Sequence, residues 1–117
     1  MAMVVLLVDD VEIRKYPIEG ERLLIGRSGD AQIHIDDATV SGKHAVVEGI
    51  PSKEFESVYE YFIQDLGSTN GTHVGGKKIR REKLLNGDVI KIGWNTFKFI
   101  ADESEQHLSS ESQDVGT

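Results

Sequence analysis

Short apolar runs alternate with clusters of turn residues along most of this chain, and no window carries the sustained 3.6-residue apolar stripe of an amphipathic helix. The runs are rich in Val, Ile, Leu, Phe and Tyr, which pack well on a pleated surface. Several short strands with turn signals between them indicate an all-β sandwich or barrel. We predict strands at Met3–Val8, Glu12–Tyr16, Arg22–Gly26, Ile33–Ile35, His44–Ile50, Phe55–Leu66, Val89–Ile92 and Phe97–Ile100.

The residues between these runs predict tight turns. Asp9-Asp10 would connect the first two strands, and Glu19-Gly20 would precede the third. Gly75-Gly76 would form the centre of a hairpin, because glycine adopts the positive φ angles of a two-residue loop at little cost. Asn86-Gly87-Asp88 would turn the chain into the last pair of strands.

The aromatic residues are assigned to the core rather than to a stacking surface. They lie within or beside predicted strands, where large apolar side chains are usually buried. The set comprises Tyr59, Tyr61, Phe62, Trp94, Phe97 and Phe99.

Length and charge divide the chain into two parts. Residues 1–101 are predicted to form one domain, large enough for a core without metals or disulfides, and the chain contains no cysteine. Residues 102–117 carry a charge of −5 with no lysine or arginine and almost no apolar content, so this acidic tail is predicted to be disordered. The net charge of the whole chain is −7, which leaves the domain close to balance at −2.

The charge balance argues against nucleic acid and membrane partners. Proteins that bind nucleic acid or anionic lipid rely on clustered positive charge, and this chain is acidic overall. The basic cluster at residues 77–83 is interpreted as a solvated hairpin edge that discourages aggregation between strands. The apolar run Met3–Val8 is too short to span a membrane and lacks the pattern of a signal peptide. We therefore expect a cytoplasmic protein, with a monomer favoured.

Candidate chemistry lies in three segments that each follow an apolar run, namely Gly26-Arg27, Ser41–His44 and Asp65–Thr72. Together they carry one guanidinium, several hydroxyls, an amide side chain and glycines that let backbone N–H groups approach a ligand. Arginine offers a planar set of charged donors, to which Ser41 and Thr69 would add neutral donors. This inventory favours a phosphate dianion as the ligand over bond-breaking chemistry.

No catalytic site is predicted. Ser41 and His44 lie where a loop enters a strand, and not on the strained strand-to-helix turn of a serine hydrolase. Residues 67–72 lack the Gly-Lys-Ser/Thr ending and the following helix of a nucleotide-binding P-loop. The histidines show no metal-ligand spacing, so neither a metal nor a cofactor is expected.

In their order and spacing, the motifs resemble those of the forkhead-associated (FHA) domain, a two-sheet antiparallel β-sandwich of the FHA and SMAD type that binds phosphothreonine peptides. The resemblance extends from about Leu23 to Phe99. It implies binding loops at one end of the sandwich and a function in Ser/Thr kinase signalling. The matching pieces are Ile25-Gly26-Arg27, Ser41-x-x-His44, Asp65-Leu66-Gly67-Ser68-Thr69-Asn70-Gly71-Thr72 and Leu84-x-x-Gly87-Asp88.

The resemblance implies ligand contacts for five residues. Phosphate binding is implied for Arg27, Ser41 and Thr69. Binding of the peptide backbone is implied for Asn70 and Gly42. The partner would be a protein or peptide that contains phosphothreonine.

Three further residues would support the loops without touching the ligand. His44 would brace the loops beneath the site. Gly26 and Gly71 would be positions where a side chain would clash or strain the backbone.

Two positions depart from the family pattern. The residue after the serine is commonly arginine or asparagine in the family, but it is Gly42 here, so a side chain that could hold the loop or the peptide is missing. Some members carry an arginine two positions before the serine that selects an acidic residue three after the phosphothreonine, whereas this chain has Thr39. A preference for an acidic residue is therefore not predicted. A second function also stays open, in which the same fold serves as a phosphate-independent scaffold.

Overall fold

The computed structural model describes residues 2–19, 21–55 and 58–101, and every regular element within these ranges is a strand. The described part of the chain contains no helix that could cross a membrane. In chain order, the strands are β1 (Ala2–Val8), β2 (Val11–Pro17), β3 (Arg22–Gly26), β4 (Ile33–His34), β5 (Ala45–Pro51), β6 (Tyr59–Asp65), β7 (Thr72–Val74), β8 (Lys77–Ile79), β9 (Arg81–Leu84), β10 (Val89–Ile92) and β11 (Asn95–Ala101).

These strands form two sheets. One has six strands in the order β2-β1-β11-β10-β7-β8, and the other has five in the order β4-β3-β5-β6-β9. Neighbouring strands run antiparallel, except that β3 and β4 form a short parallel pair. The first and last strands pair along their length, from Ala2 opposite Ala101 to Leu7 opposite Thr96. The predicted all-β, two-sheet architecture is confirmed.

One hydrophobic core lies between the two sheets. It draws buried side chains from both, including Ile25 on β3, Ile63 on β6 and Phe97 on β11. Side chains alternate between core and solvent, as on β10, where Ile90 is buried and Lys91 is exposed. The apolar and polar alternation in the sequence therefore follows the two faces of each sheet.

The assignment of aromatic residues to the core is wrong for Trp94 and Tyr59. Tyr61, Phe97 and Phe99 are buried, but Trp94 is 85% exposed and Tyr59 is 41% exposed. Trp94 occupies the turn between β10 and β11, and Tyr59 is the first residue of β6. The alternation of a pleated strand no longer decides the direction of a side chain at such positions.

The sequence pattern does not predict β8 and β9, which carry most of the basic cluster. Each of these short strands has a single buried residue, Ile79 in one and Leu84 in the other. Each lies at the edge of its sheet, where the remaining side chains are in contact with water. One buried residue in three or four leaves no alternation from which a strand could be recognised.

Other differences concern boundaries. The strand predicted from Phe55 begins at Tyr59, and the last strand begins at Asn95, two residues earlier than predicted. Hydrogen-bonded pairing decides these ends: the outermost pair of β5 and β6 is Pro51 with Tyr59, and Asn95 pairs with Ile92 of β10. The predicted disordered tail, residues 102–117, lies outside the described residues.

Both predicted two-residue hairpin turns are present, but their backbone strain differs. Gly75 and Gly76 have φ angles of 60° and 83°, whereas Asp9 and Asp10 have φ angles of 53° and 66°. All four residues lie in the left-handed region, which glycine adopts freely and aspartate adopts at a cost. The Asp9-Asp10 turn between β1 and β2 is therefore more strained than an Asn-Gly turn with the same backbone angles would be, and Asn-Gly is the pair that such turns prefer.

We expect Asp9→Asn combined with Asp10→Gly to raise the free energy of unfolding by about 0.5–1 kcal/mol, because this pair adopts positive φ angles with less strain. Urea unfolding at neutral pH measures the change. Gly76→Ala in the other hairpin is the matched control, and it should lower the free energy of unfolding. A double variant no more stable than the natural chain would show that the aspartate turn is unstrained.

Candidate functional site

Three loops meet at one end of the sandwich, and backbone hydrogen bonds join the first two. These loops follow β3, β4 and β6. The N–H of Arg27 donates to the carbonyl oxygen of Ser41 at 3.0 Å, and the N–H of Ser28 donates to that of Gly42 at 2.9 Å. The main chain of Arg27 is therefore fixed directly beside Ser41.

Glycine permits the close approach of these loops at two positions. A Cβ atom at Gly26 would overlap the carbonyl oxygen of Gly42, so a larger residue would push the second loop away from Arg27. Gly71 has a φ angle of +86°, and a Cβ atom there would lie 2.9 Å from the side chain of Lys78. Close backbone contact constrains the first glycine, and a left-handed backbone constrains the second.

The third loop joins the site through the hydroxyl group of Ser41. The N–H of Thr69 donates to Ser41 Oγ at 3.0 Å, so this oxygen accepts one internal hydrogen bond and keeps its own hydrogen for another partner. Thr69 is exposed, and its hydroxyl group forms no hydrogen bond with the described residues. Two hydroxyl donors are thus available at the same place.

Asn70 makes a further contact between the second and third loops. Its Nδ2 donates to the carbonyl oxygen of Thr39 at 2.9 Å, which holds the amide in one orientation. The amide is exposed, and its Oδ1 can accept a hydrogen bond from the backbone N–H of an extended ligand.

The imidazole of His44 lies beneath the loops and has no exposed surface. The N–H of Ser41 donates to Nδ1 at 3.0 Å, and because a backbone N–H can only donate, Nδ1 carries no proton. The ring proton is therefore on Nε2, which donates to the carbonyl oxygen of Gly71 at 2.9 Å. One neutral ring links the serine loop to the loop that carries Thr69 and Asn70.

The carboxylate of Asp65, at the end of β6, organises the third loop. Its Oδ2 accepts the N–H groups of Gly67 and Ser68, each at 3.0 Å. Its Oδ1 accepts the hydroxyl of Ser68 at 2.5 Å and that of Thr72 at 2.7 Å. Ser68 Oγ extends the network by accepting the N–H of Gly71 at 2.9 Å.

This network favours the charged form of Asp65. Burial by itself raises the pKa of the carboxyl group, but hydrogen bonds from Ser68, Thr72 and Gly67 outweigh burial and bring the pKa below its ordinary value of 3.8. Because the pKa is depressed in the folded state, the charge of Asp65 stabilises the fold at neutral pH. This contribution is lost as the pH falls through the folded pKa.

The guanidinium group of Arg27 remains available. Its side chain is exposed, and it forms no ion pair or hydrogen bond with residues 2–19, 21–55 or 58–101. The carbonyl oxygen of Arg27 accepts a hydrogen bond from Nε2 of His34 at 3.0 Å, which anchors the main chain behind the side chain. No carboxylate of the described residues therefore forms an ion pair with Arg27.

Gly42 is surrounded by open space. A Cβ atom there would meet nothing within 4 Å, and its φ angle lies outside the left-handed region. The absence of a side chain at this position is therefore not required by the fold, in contrast to Gly26.

The sequence analysis predicts that Arg27, Ser41 and Thr69 share one site, but it predicts no role for Asp65. The signal was available, since an aspartate directly before Leu-Gly-Ser is typical of a turn in which the carboxylate accepts nearby N–H groups. Nothing in the sequence singles out the carbonyl oxygen of Thr39 as a partner, because any residue supplies one.

Comparison with known proteins identifies this arrangement. A sequence profile of the FHA domain matches residues 23–93, more than half of the chain. The chain belongs to the FHA family. The matched segment contains all of the site residues described above and ends directly before Trp94.

Two mycobacterial regulators are among the related proteins. The chain is 39% identical over 87 residues to the transcriptional regulatory protein EmbR of Mycobacterium tuberculosis, which covers 74% of this chain and 21% of EmbR. It is 35% identical over 88 residues to the glycogen accumulation regulator GarA of the same species, which covers 69% of this chain and 50% of GarA. The chain therefore spans half or less of the length of these two relatives.

Solved FHA structures share the fold. One, from a study of phosphothreonine-dependent FHA domain interactions, has a TM-score of 0.72 and 29% identity, covering 86% of this chain and 96% of that chain. Mycobacterium tuberculosis EmbR in complex with a low-affinity phosphopeptide has a TM-score of 0.71 and 33% identity, covering 85% of this chain and 24% of EmbR.

We expect Asp65→Asn to lower the free energy of unfolding at neutral pH by about 1–3 kcal/mol, because the amide leaves donors of the third loop without an acceptor. The variant should also lose less stability between neutral pH and about pH 3, since the titrating group with the depressed pKa is gone. Urea unfolding across this pH range measures both effects. Asp30→Asn, an exposed carboxylate in the first loop, is the control that should leave the profile unchanged.

Proposed function

We propose that this FHA domain is a phosphothreonine-dependent protein-interaction module, and that Arg27, Ser41 and Thr69 bind the phosphate. The observation that supports this best is the state of Arg27. Its guanidinium is exposed and has no partner among the described residues, while its main chain is bonded to that of Ser41. A cation on an anchored main chain, without an internal anion and beside two available hydroxyls, is suited to an external anion.

The charge of the ligand explains why binding would depend on phosphorylation. A phosphate group adds about −1.5 to −2 charges and three acceptor oxygens, whereas an unmodified threonine has only a neutral hydroxyl. Arg27 would donate charge-assisted hydrogen bonds to these oxygens, which are stronger than neutral ones. Ser41 and Thr69 would add further donors, so removing the phosphate would leave all three without their acceptor.

Asn70 and Gly42 are proposed to hold the backbone of the peptide. Asn70 is already fixed by its bond to Thr39, so its free oxygen needs little ordering on binding. Gly42 leaves room for a backbone to approach closely, since nothing lies within 4 Å of a Cβ atom built there. An extended peptide across the loops would then receive both charge recognition and main-chain hydrogen bonds.

The arrangement of Ser41 and His44 supports a binding module without catalysis. A nucleophilic serine needs its hydroxyl hydrogen-bonded to a base. Here Nδ1 of His44 accepts the backbone N–H of Ser41, and Ser41 Oγ accepts the N–H of Thr69. The imidazole is thus committed to the main chain, with no free nitrogen for the hydroxyl group.

Kinase signalling is the proposed setting, because kinases produce phosphothreonine. The matched segment covers 21% of EmbR and 50% of GarA, so the activities of those whole proteins are not assigned to this chain. The predictions of a cytoplasmic location, a monomeric state, and no nucleic acid or membrane partner remain predictions.

We expect Arg27→Ala to weaken binding of a phosphothreonine peptide by about 2–5 kcal/mol, which is more than tenfold in Kd, because the charged donor is lost. Isothermal titration calorimetry with a phosphothreonine peptide library and its unphosphorylated counterpart measures this. The fold should persist, since the side chain is exposed and forms no hydrogen bond or ion pair with the described residues.

Lys15→Ala on β2 is the matched control, because it removes the same charge from a strand that contributes no loop to the site. A folded Arg27→Ala variant with full affinity would contradict the assigned role. Equal binding of phosphorylated and unphosphorylated peptides would instead favour the phosphate-independent scaffold, the alternative that Gly42 keeps open.

We expect Gly42→Asn to strengthen phosphopeptide binding by about three- to tenfold, because the added amide can form one hydrogen bond worth about 0.5–1.5 kcal/mol. Space for the side chain is available, and the backbone angle suits it. Gly29→Asn is the control, since a Cβ atom at Gly29 also meets nothing within 4 Å. An unchanged Kd would show that the added amide forms no further hydrogen bond with the peptide.

A further inference from the structure

The outer face of the six-stranded sheet carries a row of basic side chains. Four neighbouring strands, β11, β10, β7 and β8, each place one basic residue on the face that points away from the core. Residues next to them in the strands, such as Phe97, Ile90 and Ile79, belong to the core, so the alternation of a strand directs the basic residues outward. We call this row the basic stripe, and it comprises Lys98, Lys91, His73 and Lys78.

Strand pairing makes the basic stripe continuous. Lys91 lies opposite His73, and His73 lies opposite Lys78. Lys98 lies opposite Val89, which is two residues before Lys91, so Lys98 and Lys91 are diagonal neighbours. Because adjacent strands are about 4.8 Å apart, the stripe extends over about 14 Å across the sheet.

No carboxylate of the described residues pairs with the basic stripe. Its four side chains form no ion pair or hydrogen bond with residues 2–19, 21–55 or 58–101, and their four strands contain no aspartate or glutamate. Lys78 and Lys91 are exposed, and His73 and Lys98 are half-buried. The lysine charges are therefore available to an external anion.

The other sheet has the arrangement that favours stability. Arg22 lies directly opposite Glu48, with Nε of the arginine 3.6 Å from Oε2 of the glutamate. Nζ of Lys83 is 3.7 Å from Oε2 of Glu60 on the adjacent strand. Opposite charges on adjacent strands stabilise a sheet, and like charges destabilise it. The basic stripe lacks this stabilisation, although the chain has 20 acidic residues and 13 basic ones.

Protection against aggregation explains only one member of the basic stripe. Lysine at the edge of a sheet discourages pairing with another chain, and Lys78 lies on the edge strand β8. Lys91 and Lys98 lie on β10 and β11, which have a paired strand on both sides. These two lysines therefore need a different explanation.

The dimensions of the stripe favour an extended acidic polypeptide as its partner. Alternate residues of an extended chain are about 7 Å apart, so three carboxylates at alternate positions cover about 14 Å, the length of the stripe. Val89, which is 37% exposed, and the half-buried Ile100 lie beside Lys98 and offer apolar contacts to a polypeptide. Three lysines without an arginine are few for a nucleic acid or an anionic bilayer.

We propose that the basic stripe is a docking surface for an acidic segment of a partner protein, whose carboxylates pair with Lys98, Lys91 and Lys78. This contact goes beyond the proposed function, because it needs no phosphate and lies on the sheet. Electrostatic attraction across this face raises the rate at which acidic partners associate, and it weakens as the salt concentration rises.

The test uses the full chain and a fluorescein-labelled peptide with glutamate at alternate positions, together with its glutamine counterpart. Fluorescence anisotropy at low salt should show binding of the glutamate peptide alone. Lys91→Gln combined with Lys98→Gln should weaken this binding about three- to tenfold, because two exposed ion pairs are lost. Lys78 is left unchanged, since its side chain lies over Gly71 in the third loop.

Lys53→Gln combined with Lys83→Gln is the matched control. Both lysines are exposed, and the change removes the same charge from outside the six-stranded sheet. This variant should keep the natural affinity for the glutamate peptide. A loss equal to that of the Lys91 and Lys98 variant would show an effect of net charge alone and would overturn the proposal.

Thermal unfolding checks that the Lys91 and Lys98 variant is folded. Its Tm should be no lower than that of the natural chain, because like charges on adjacent strands are removed.

NMR of the backbone amides locates the bound peptide. The glutamate peptide should shift the amide signals of the basic stripe, whereas a phosphothreonine peptide should shift those of Arg27, Ser41 and Thr69. Shifts by the glutamate peptide at the loop residues alone would overturn the proposal, since the loops would then be the binding site for both.

The same spectra test the acidic residues of this chain as a rival occupant. Replacing the five carboxylates of residues 102–117 by amides should leave the signals of Lys91 and Lys98 unchanged. A shift of these signals would overturn the partner assignment in favour of residues 102–117 as the occupant.

The remaining outcomes separate this proposal from the proposed function. If the chain binds the glutamate peptide through Lys91 and Lys98 but binds no phosphothreonine peptide, the docking surface stands and the proposed function is overturned. If it binds the phosphothreonine peptide but binds the glutamate and glutamine peptides equally, only the docking surface is overturned. Tighter binding of oligothymidylate through the same lysines would overturn the acidic segment in favour of a nucleic acid.

Discussion

The candidate site depends on one buried, neutral imidazole. His44 accepts the N–H of Ser41 at Nδ1 and donates from Nε2 to the carbonyl oxygen of Gly71. Without the ring, a half-buried donor on one loop and a buried acceptor on another would lose their partners, and the loops would lose their common support. A histidine suits this position because its neutral ring combines one acceptor and one donor at opposite ends of a rigid plane.

Around His44, the loops form hydrogen bonds with one another through atoms that are not proposed to bind the ligand. The carboxylate of Asp65 binds the turn of the third loop, and Asn70 binds the carbonyl oxygen of Thr39. The charged donors of Arg27 and the hydroxyl hydrogen of Ser41 remain available to a ligand, because no described residue accepts a hydrogen bond from them. A ligand would therefore find its partners already in place, which reduces the ordering that binding requires.

The sequence by itself determined the all-β fold, the two hairpin turns and the motifs of the site, because alternation and turn chemistry are properties of neighbouring residues. It also placed Ser41 and Thr69 in loops. Only the tertiary structure decided that the loops meet, that Gly26 packs on Gly42, that β8 and β9 form the sheet edges, and that Trp94 faces water. These features arise from contacts between residues that are far apart in the chain. The local sequence does not predict which side chains such contacts leave exposed to solvent.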